Sequence, residues 1–267
     1  MEFRELGRTG EKVSTIGMGT WKIGSFRTSE EREAQVRALR RGVELGINLI
    51  DTAEMYSHGR SEEVVADAIE GIRKQVFIAS KVSPENLSHD DVIKACRASL
   101  QRLRTPFIDL YQVHWPNPKI PIRETMSAME ELVRDGAIRY IGVSNFSAAE
   151  TNEASAVLGK DEITSNQVEY SLSNRSVEPE TLPYCVKEKI TLIAYSPLAR
   201  GQIATSMPKE LLQKYGMTPA QAMLNWVTRS DQVVAIPKAA TISHVEENAS
   251  SVSVRLSVTE YNRLSGA

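Results

Sequence analysis

Short apolar segments rich in β-branched residues alternate along the chain with segments of helical periodicity. Several of these apolar segments are unbroken, as in Val76-Phe77-Ile78-Ala79 and Val233-Val234-Ala235-Ile236. Unbroken apolar character indicates strands that are covered on both faces, as in a parallel sheet with helices packed on it. The eight predicted strands are Val13–Gly19, Ile47–Asp51, Val76–Lys81, Ile108–His114, Ile138–Ser144, Ile163–Val168, Ile190–Ser196 and Gln232–Pro237.

The segments between these strands have the spacing of amphipathic helices. Two of the apolar faces are Val92, Cys96, Leu100 and Leu103, and Ile122, Met126, Met129 and Val133. Helix starts are predicted from three pairs with capping-box spacing, which are Thr28/Glu31, Ser147/Glu150 and Ser257/Glu260. Helix ends are predicted near Gly46, Gly71 and Gly136.

Strict alternation of eight strands with eight helical segments predicts an α/β fold, a closed (β/α)8 or TIM barrel. The chain of 267 residues suits such a barrel as one domain over residues 1–267. Residues 3–12 are predicted to form a short hairpin that closes the barrel bottom. An open doubly wound sheet is the competing architecture, but it usually carries G-x-G-x-x-G after its first strand. The chain has only Gly17-Met18-Gly19 there.

Charge and cysteine content argue against several classes of partner. The formal net charge is −2, which gives no basic footprint for nucleic acid or an anionic membrane. Cys96 and Cys185 lie in helical segments without metal-ligand spacing, and we predict no metal site. The N-terminal residues lack the apolar core of a secretion signal, and every apolar segment is far shorter than a membrane span. We therefore expect a soluble, cytoplasmic protein. A monomer is expected, and a homo-oligomer is the open alternative.

Polar side chains end seven consecutive predicted strands. In a (β/α)8 barrel the carboxyl ends of the strands meet on one face, and catalytic groups are expected there. Each of these residues alone would more often be a solvated or structural group, but their convergence on one rim predicts a site. The residues are Asp51 with Tyr56 in the following loop, Lys81, His114-Trp115, Ser144-Asn145, Asn166-Gln167, Tyr195-Ser196 and Lys238.

Four of these side chains suit the protonation of an oxygen. Tyr56 is a poor base at neutral pH, since a free tyrosine has a pKa of about 10, but it can donate a proton. A nearby ammonium at Lys81 favours the phenolate and is expected to lower that pKa. Asp51 would pair with Lys81 and keep it charged. A neutral His114 can hydrogen-bond and orient a carbonyl oxygen.

The motifs at these strand ends, taken in order, resemble the aldo-keto reductase superfamily, specifically its short prokaryotic-type members, over essentially the whole chain. Any one motif alone would be weak, but the ordered set is specific. The motifs are Gly19-Thr20-Trp21, Asn48-Leu49-Ile50-Asp51-Thr52-Ala53-Glu54-Met55-Tyr56, Ser80-Lys81, Asp109-Leu110-Tyr111-Gln112-Val113-His114-Trp115-Pro116, Ile141-Gly142-Val143-Ser144-Asn145-Phe146, Asn166-Gln167-Val168-Glu169-Tyr170, Ala194-Tyr195-Ser196-Pro197-Leu198 and Ile236-Pro237-Lys238.

The resemblance implies an enzyme that reduces aldehydes or ketones to alcohols by hydride transfer from NADPH. It implies Tyr56 as general acid supported by Asp51, Lys81 and His114, and a substrate pocket formed by Tyr56 and His114 with Trp21 and Trp115 as walls. Ser144, Asn145 and Gln167 would bind the nicotinamide carboxamide, and Tyr195 would stack on its ring. The other implied cofactor contacts are Gly19, Thr20, Trp21, Asp51, Ser196, Pro197, Leu198, Arg200, Ile236, Lys238, Thr241, His244, Glu247 and Asn248.

Two departures from the family pattern modify these expectations. Ala239 and His244 stand where many NADPH-preferring members have a hydroxyl and an arginine, which predicts a reduced preference for NADP(H) and acceptance of NAD(H). The chain ends at Ala267 and lacks the long C-terminal loop that closes over the substrate in many members. The loop after the seventh strand, residues 199–209, is also short. From these features we expect an open, poorly selective pocket and fast cofactor exchange.

Two other functions are open at this point. One is a non-catalytic regulatory protein that binds the nicotinamide cofactor on the same fold, since a fold does not fix a function. The other is an enzyme acting mainly as an alcohol or sugar dehydrogenase, because Tyr56 is an acid in one direction and a base in the other. The physiological substrate is not predicted by the sequence.

Overall fold

A computed structural model of the chain describes residues 1–202, 207–238 and 240–266. Eight parallel strands form one sheet with neighbours in chain order, and a two-stranded antiparallel hairpin precedes them. The hairpin strands are β1 (Phe3–Glu5) and β2 (Lys12–Ser14). The parallel strands are β3 (Met18–Gly19), β4 (Leu49–Asp51), β5 (Phe77–Val82), β6 (Ile108–Val113), β7 (Ile138–Ser144), β8 (Ile163–Glu169), β9 (Thr191–Tyr195) and β10 (Val233–Ala235).

The sheet closes on itself through the segment that contains β3. Parallel bridges join Ile16 to Ala235 and Gly19 to Lys238. The Gly19 N–H donates to the carbonyl of Pro237 at 3.1 Å. A Cβ at Gly19 would lie 2.6 Å from the carbonyl oxygen of Ile236, so only glycine permits this approach. The predicted (β/α)8 barrel is confirmed.

Ten α-helices connect or follow the strands within the described residues. They are α1 (Ser29–Glu44), α2 (Arg60–Ile69), α3 (His89–Leu103), α4 (Ile122–Arg134), α5 (Ala148–Val157), α6 (Thr181–Glu188), α7 (Lys209–Tyr215), α8 (Pro219–Val227), α9 (Ile242–Ser250) and α10 (Val258–Ser265). Nowhere in these described ranges is a helix both long enough and apolar enough to cross a membrane.

The prediction of eight helical segments in strict alternation is wrong in two places. Two helices, α7 and α8, separate β9 from β10, and two more, α9 and α10, follow β10. The predicted strand Val13–Gly19 is also divided, because Lys12–Ser14 pairs with β1 and only Met18–Gly19 pairs with β4. An apolar segment alone does not reveal that its two halves hydrogen-bond to different partners.

The predicted helix boundaries are largely confirmed. Ser147 and Ser257 form reciprocal capping boxes with Glu150 and Glu260. The third box is only half formed, because Thr28 accepts the N–H of Glu31 while the Glu31 carboxylate accepts the N–H of Arg27 instead. Gly46, Gly71 and Gly136 follow the ends of α1, α2 and α4, as predicted.

The barrel interior is apolar at the bottom and polar at the top. Leu6 and Val13 of the hairpin are fully buried against interior side chains that include Leu49, Phe77 and Leu110. The hairpin therefore closes the barrel bottom, which confirms the prediction. Because alternate residues of a strand face the same side, residues two positions after this apolar layer also face inward. They form a polar layer above the apolar one.

Candidate active site

Lys81 and Asp51 form a buried ion pair near the carboxyl ends of β5 and β4. Lys81 Nζ donates to Asp51 Oδ1 at 2.7 Å and to the carbonyl of Thr52 at 2.8 Å. Burial opposes the charge of Lys81, but Asp51 and Tyr56 outweigh it, so the pKa of Lys81 is raised above its ordinary value. Lys81 is therefore charged at neutral pH, as expected.

Tyr56 lies in the loop after β4, beside this ion pair. Its hydroxyl is 3.5 Å from Lys81 Nζ, and the same ammonium is 5.0 Å from the centre of the phenol ring. Burial raises the pKa of Tyr56, Lys81 lowers it in part, and Asp51 raises it further, with a net shift upward. The expected lowering by Lys81 is present, but desolvation of the phenolate outweighs it. At neutral pH the Tyr56 phenol consequently keeps its proton, which it can donate in a hydrogen bond.

His114 follows β6 and lies next to Tyr56. Their ring centroids are 5.7 Å apart at an interplanar angle of 69°, and His114 also stacks on Trp115 at 4.1 Å. Burial, and then the charge of Lys81, lowers the pKa of His114 to about 2. The imidazole is neutral at physiological pH and has one N–H with which it can donate a hydrogen bond to a carbonyl oxygen.

The lowered pKa of His114 predicts that the protein loses stability in mild acid. Because the pKa of His114 is about 2 in the folded state and about 6.5 in the unfolded state, only the unfolded chain gains the proton between these values. The free energy of unfolding should therefore fall as the pH drops below the unfolded pKa. We expect His114 to contribute about 1.5 kcal/mol of this loss between about pH 6.5 and about pH 5.

Urea unfolding of the protein and of His114→Gln at the two pH values measures this contribution. The glutamine variant should lose less stability on acidification by that amount. An equal loss in both proteins would show that His114 does not resist protonation.

Two glutamines hold the second carboxylate oxygen of Asp51. Gln167 Nε2 on β8 donates to Asp51 Oδ2 at 2.7 Å, and Gln112 Nε2 on β6 lies 3.5 Å from the same oxygen. All three side chains are buried. Sequence reasoning missed Gln112 as a site residue. The signal that would have found it is its position two residues before His114, on the same face of the strand.

Ser144, Asn145 and Tyr195 form a connected polar cluster around Gln167. Ser144 Oγ donates to the carbonyl of Gln167 at 2.8 Å, and Asn145 Nδ2 donates to Ser144 Oγ at 3.1 Å. Asn145 Nδ2 also lies 3.0 Å from the carbonyl of His114, and Tyr195 donates to Asn145 Oδ1 at 2.9 Å. The structure thus brings the four residues predicted at the nicotinamide together beside the ion pair.

The other predicted cofactor residues after β9 and around β3 lie on the same rim. Ser196 and Arg200 have left-handed backbone, with φ of 51° and 57°. The Arg200 guanidinium is 3.7 Å from the Glu169 carboxylate. Thr20 donates its hydroxyl to the carbonyl of Asp51 at 2.9 Å. Gly19, Pro197 and Ile236 are buried, Leu198 is half-buried, and Trp21 is exposed.

The residues predicted at the adenosine end are divided along α9. Thr241 caps this helix and accepts the N–H of His244, while Lys238 and His244 are exposed near its start. Unpaired N–H groups make a helix start favourable for an anion.

Further along α9, Glu247 accepts from Thr218 at 2.7 Å and Asn248 is buried. Ala239, and residues 203–206 of the predicted short loop, lie outside the described residues.

The predicted substrate walls are among the most exposed large apolar residues. Trp21 is 50% exposed and Trp115 is 39% exposed. Exposed aromatic rings beside a buried polar cluster are typical of a binding cleft. Within the described ranges, no group of three or more His, Cys, Asp or Glu side chains is placed to hold a metal ion.

Comparisons with known proteins establish the family of the chain. The model of the aldo/keto reductase family matches residues 15–267. The chain is 42% identical over 261 residues to the methylglyoxal reductase YeaE of Escherichia coli K12, with 96% of this chain and 91% of that protein covered.

Two solved structures resemble the chain over nearly its whole length. A thermostable aldo-keto reductase, Tm1743, in complex with the inhibitor epalrestat superposes with a TM-score of 0.94 and 41% identity, covering 100% of this chain and 99% of that one. An aldo-keto reductase of Klebsiella pneumoniae in complex with NADPH superposes with a TM-score of 0.91 and 38% identity, covering 98% and 93%. The chain is therefore an oxidoreductase that belongs to the aldo/keto reductase family.

Proposed function

We propose that this protein, as one domain over residues 1–267, reduces aldehydes and ketones to alcohols with NADPH, and that Tyr56 is the general acid. The observation that carries the proposal is the Tyr56 hydroxyl 3.5 Å from Lys81 Nζ, beside the neutral ring of His114. In an aldo/keto reductase, this arrangement would stabilise the negative charge that develops on the carbonyl oxygen of the substrate during the reaction.

Each of the four side chains has a distinct part in this proposal. His114 donates a hydrogen bond that orients the carbonyl oxygen, and Tyr56 delivers the proton to that oxygen. Lys81 stabilises the negative charge that develops on Tyr56 as the proton leaves. Asp51 holds Lys81 in place at 2.7 Å. The same Tyr56 oxygen takes the proton back when the alcohol is oxidised, so dehydrogenase activity uses the same residues.

The residues around Asp51 fit a nicotinamide cofactor. The hydroxyl of Ser144 and the amides of Asn145 and Gln167 supply the donors and acceptors that a carboxamide needs, and the half-buried ring of Tyr195 offers a flat apolar face. The reduced nicotinamide supplies the hydride when it is bound. Lys238 and the start of α9 offer positive charge for phosphate groups. The NADPH complex of the Klebsiella relative supports this choice of cofactor.

The test of the proposed function is the loss of reduced-nicotinamide absorbance in the presence of a reactive carbonyl compound. The name of the Escherichia coli relative makes methylglyoxal the first substrate to try. Turnover with NADPH would support the proposal. Cofactor binding without turnover of any aldehyde or ketone in a broad panel would instead favour the non-catalytic regulatory alternative. Efficient oxidation of alcohols or sugars with little carbonyl reduction would favour the dehydrogenase.

The exposed His244 leads to a prediction about cofactor choice. Many NADPH-preferring members have an arginine at this position, and a histidine lacks the planar fork of donors with which arginine contacts a phosphate. We therefore expect His244 to contribute less to binding of the 2′-phosphate. We expect NADPH to bind more tightly than NADH, with NADH also accepted, and His244→Arg to widen the difference. Titration of tryptophan fluorescence with each reduced cofactor measures both affinities. Tighter binding of NADH would overturn the expectation.

A further inference from the structure

The turn that carries Tyr56 has an unfavourable backbone. Tyr56–Gly59 form a short 3-10 turn in which Ser57, His58 and Gly59 all have left-handed φ, at 50°, 55° and 85°. Left-handed backbone is uncommon for residues other than glycine, and such strain persists only where the surrounding structure enforces it. The contacts that enforce this turn therefore also determine where the Tyr56 hydroxyl lies.

One side of the turn is held by hydroxyl groups. Ser57 Oγ donates to the carbonyl of Ile23 at 2.9 Å and lies 3.0 Å from Ser25 Oγ. These contacts tie the turn to the loop after β3. They are partly exposed, so they exchange readily with water and hold the turn only weakly.

The other side of the turn rests on Arg102 of α3. A Cβ at Gly59 would lie 2.6 Å from Arg102 Cδ and 2.8 Å from Arg102 Nε, so the backbone packs directly on this side chain. Glycine is required here both by its φ and by this approach. Arg102 lies 46 residues after Tyr56 in the sequence. Its side chain packs beneath the turn.

Arg102 is itself fixed by a carboxylate that is completely buried. Arg102 Nε donates to Glu62 Oε2 at 2.6 Å, and Arg102 Nη2 donates to Ser99 Oγ at 3.1 Å. Glu62, on the first turn of α2, accepts from Ser80 Oγ at 2.6 Å through its other oxygen. Ser80 directly precedes Lys81 on β5. Hydrogen-bonded ion pairs with a buried member have defined geometry, because misalignment leaves a buried charge unpaired.

We propose that Arg102, held by Glu62, is a positioning residue that sets the location of the Tyr56 hydroxyl relative to Lys81. The chain of contacts runs from Lys81 through its neighbour Ser80 to Glu62, Arg102 and the backbone at Gly59. The Glu62–Arg102 ion pair is therefore connected both to the turn that carries Tyr56 and to the strand that carries Lys81. The inference rests on the proposed function, because it concerns the geometry of the proton donor.

Arg102→Met tests this inference, since methionine keeps apolar bulk under Gly59 and removes the ion pair. Small misplacements of a reacting group reduce rates strongly, so we expect kcat for an aldehyde to fall about tenfold or more. The dissociation constant for NADPH, measured by tryptophan fluorescence, should stay within about twofold. In the described part of the chain, the side-chain hydrogen bonds of Arg102 go to Glu62 and Ser99, and neither is a proposed cofactor residue. Arg102→Lys keeps a positive charge beside Glu62 and should recover most of the lost kcat.

Arg73→Met is the matched control. Arg73 also pairs with a buried carboxylate, Asp109, at 2.7 Å, but it precedes β5 at the opposite end of the barrel. This variant should lose stability and keep its kcat. An equal fall of kcat in Arg73→Met, or unchanged kcat in folded Arg102→Met, would overturn the inference. If Arg102→Met does not fold, Arg102→Gln takes its place, because it also removes the ion pair with Glu62. Unchanged kcat in folded Arg102→Gln would then overturn the inference.

The proposed role of Tyr56 has its own test, and a Tyr56→Phe variant that stays active would contradict it. In that case Tyr56 is not the proton donor, whatever the Arg102 variants do. An inactive Tyr56→Phe together with a fully active Arg102→Met would leave the proposed function standing and remove only the positioning role.

Discussion

Tyr56→Phe should lower kcat for carbonyl reduction at least about a hundredfold and leave the fold unchanged. The substitution removes the proton donor and keeps the ring beside His114, and general acids typically contribute factors of about a hundred to ten thousand. Among the described residues the lost hydroxyl has one hydrogen-bond partner, Lys81 Nζ at 3.5 Å, so the free energy of unfolding should change little. The measurement is steady-state kinetics with an aldehyde, together with fluorescence titration of NADPH, whose affinity should be retained.

Tyr215→Phe provides the matched control for this variant. The Tyr215 hydroxyl lies 3.0 Å from the Glu260 carboxylate on α10, and neither residue belongs to the proposed site. Its removal deletes a hydroxyl of the same kind and should leave kcat unchanged. If kcat of Tyr56→Phe stayed within about tenfold of the unmodified enzyme, or about 1.4 kcal/mol, the assignment of Tyr56 as general acid would be wrong.

Lys81→Met should remove activity and also destabilise the protein. Without the ammonium, the charge that develops on Tyr56 during proton transfer has no nearby cation, and we expect a fall in kcat of about a hundredfold or more. The same change leaves Asp51 as a buried carboxylate without its 2.7 Å partner. Breaking a buried ion pair by removing one member typically costs about 3–5 kcal/mol.

A double variant separates these two effects. Asp51→Asn combined with Lys81→Met removes both charges, and replacing a whole buried pair is often nearly neutral for stability. We expect chemical denaturation to show that most of the lost stability returns while the enzyme stays inactive. Loss of less than about 1 kcal/mol in Lys81→Met alone would mean that Asp51 finds another charge partner, and the account of the ion pair would be wrong.

The proposed catalytic cluster was predictable because its residues occupy positions that are defined locally. Asp51, Lys81 and His114 each come at the end of an apolar strand, and the barrel brings strand ends to one face irrespective of the distance between them in the chain. The alternation of side chains along a strand limits such predictions. Asn166, beside Gln167, faces outward and donates to the carbonyl of Phe146 at 2.8 Å, although both were predicted at the rim.

The direction of the pKa shift of Tyr56 was not predictable in the same way. The sequence indicates that a lysine is near and therefore that the pKa is lowered. The extent of burial depends on every element around the loop, and in the folded protein burial has the larger effect. Strand boundaries at Val13–Gly19 failed for a related reason, because pairing partners are set by the closure of the barrel.

The barrel, its bottom hairpin and the cluster of Asp51, Tyr56, Lys81 and His114 could be predicted from the residues alone. Periodicity, and a position at or soon after a strand end, are local properties of the chain. The folded protein alone shows that Gln112 joins Gln167 on Asp51, and that Arg102 and Glu62 lie beneath the Tyr56 turn. Those contacts join residues from different strands and helices. They depend on how the helices pack on the closed sheet, and no local pattern of residues specifies that packing.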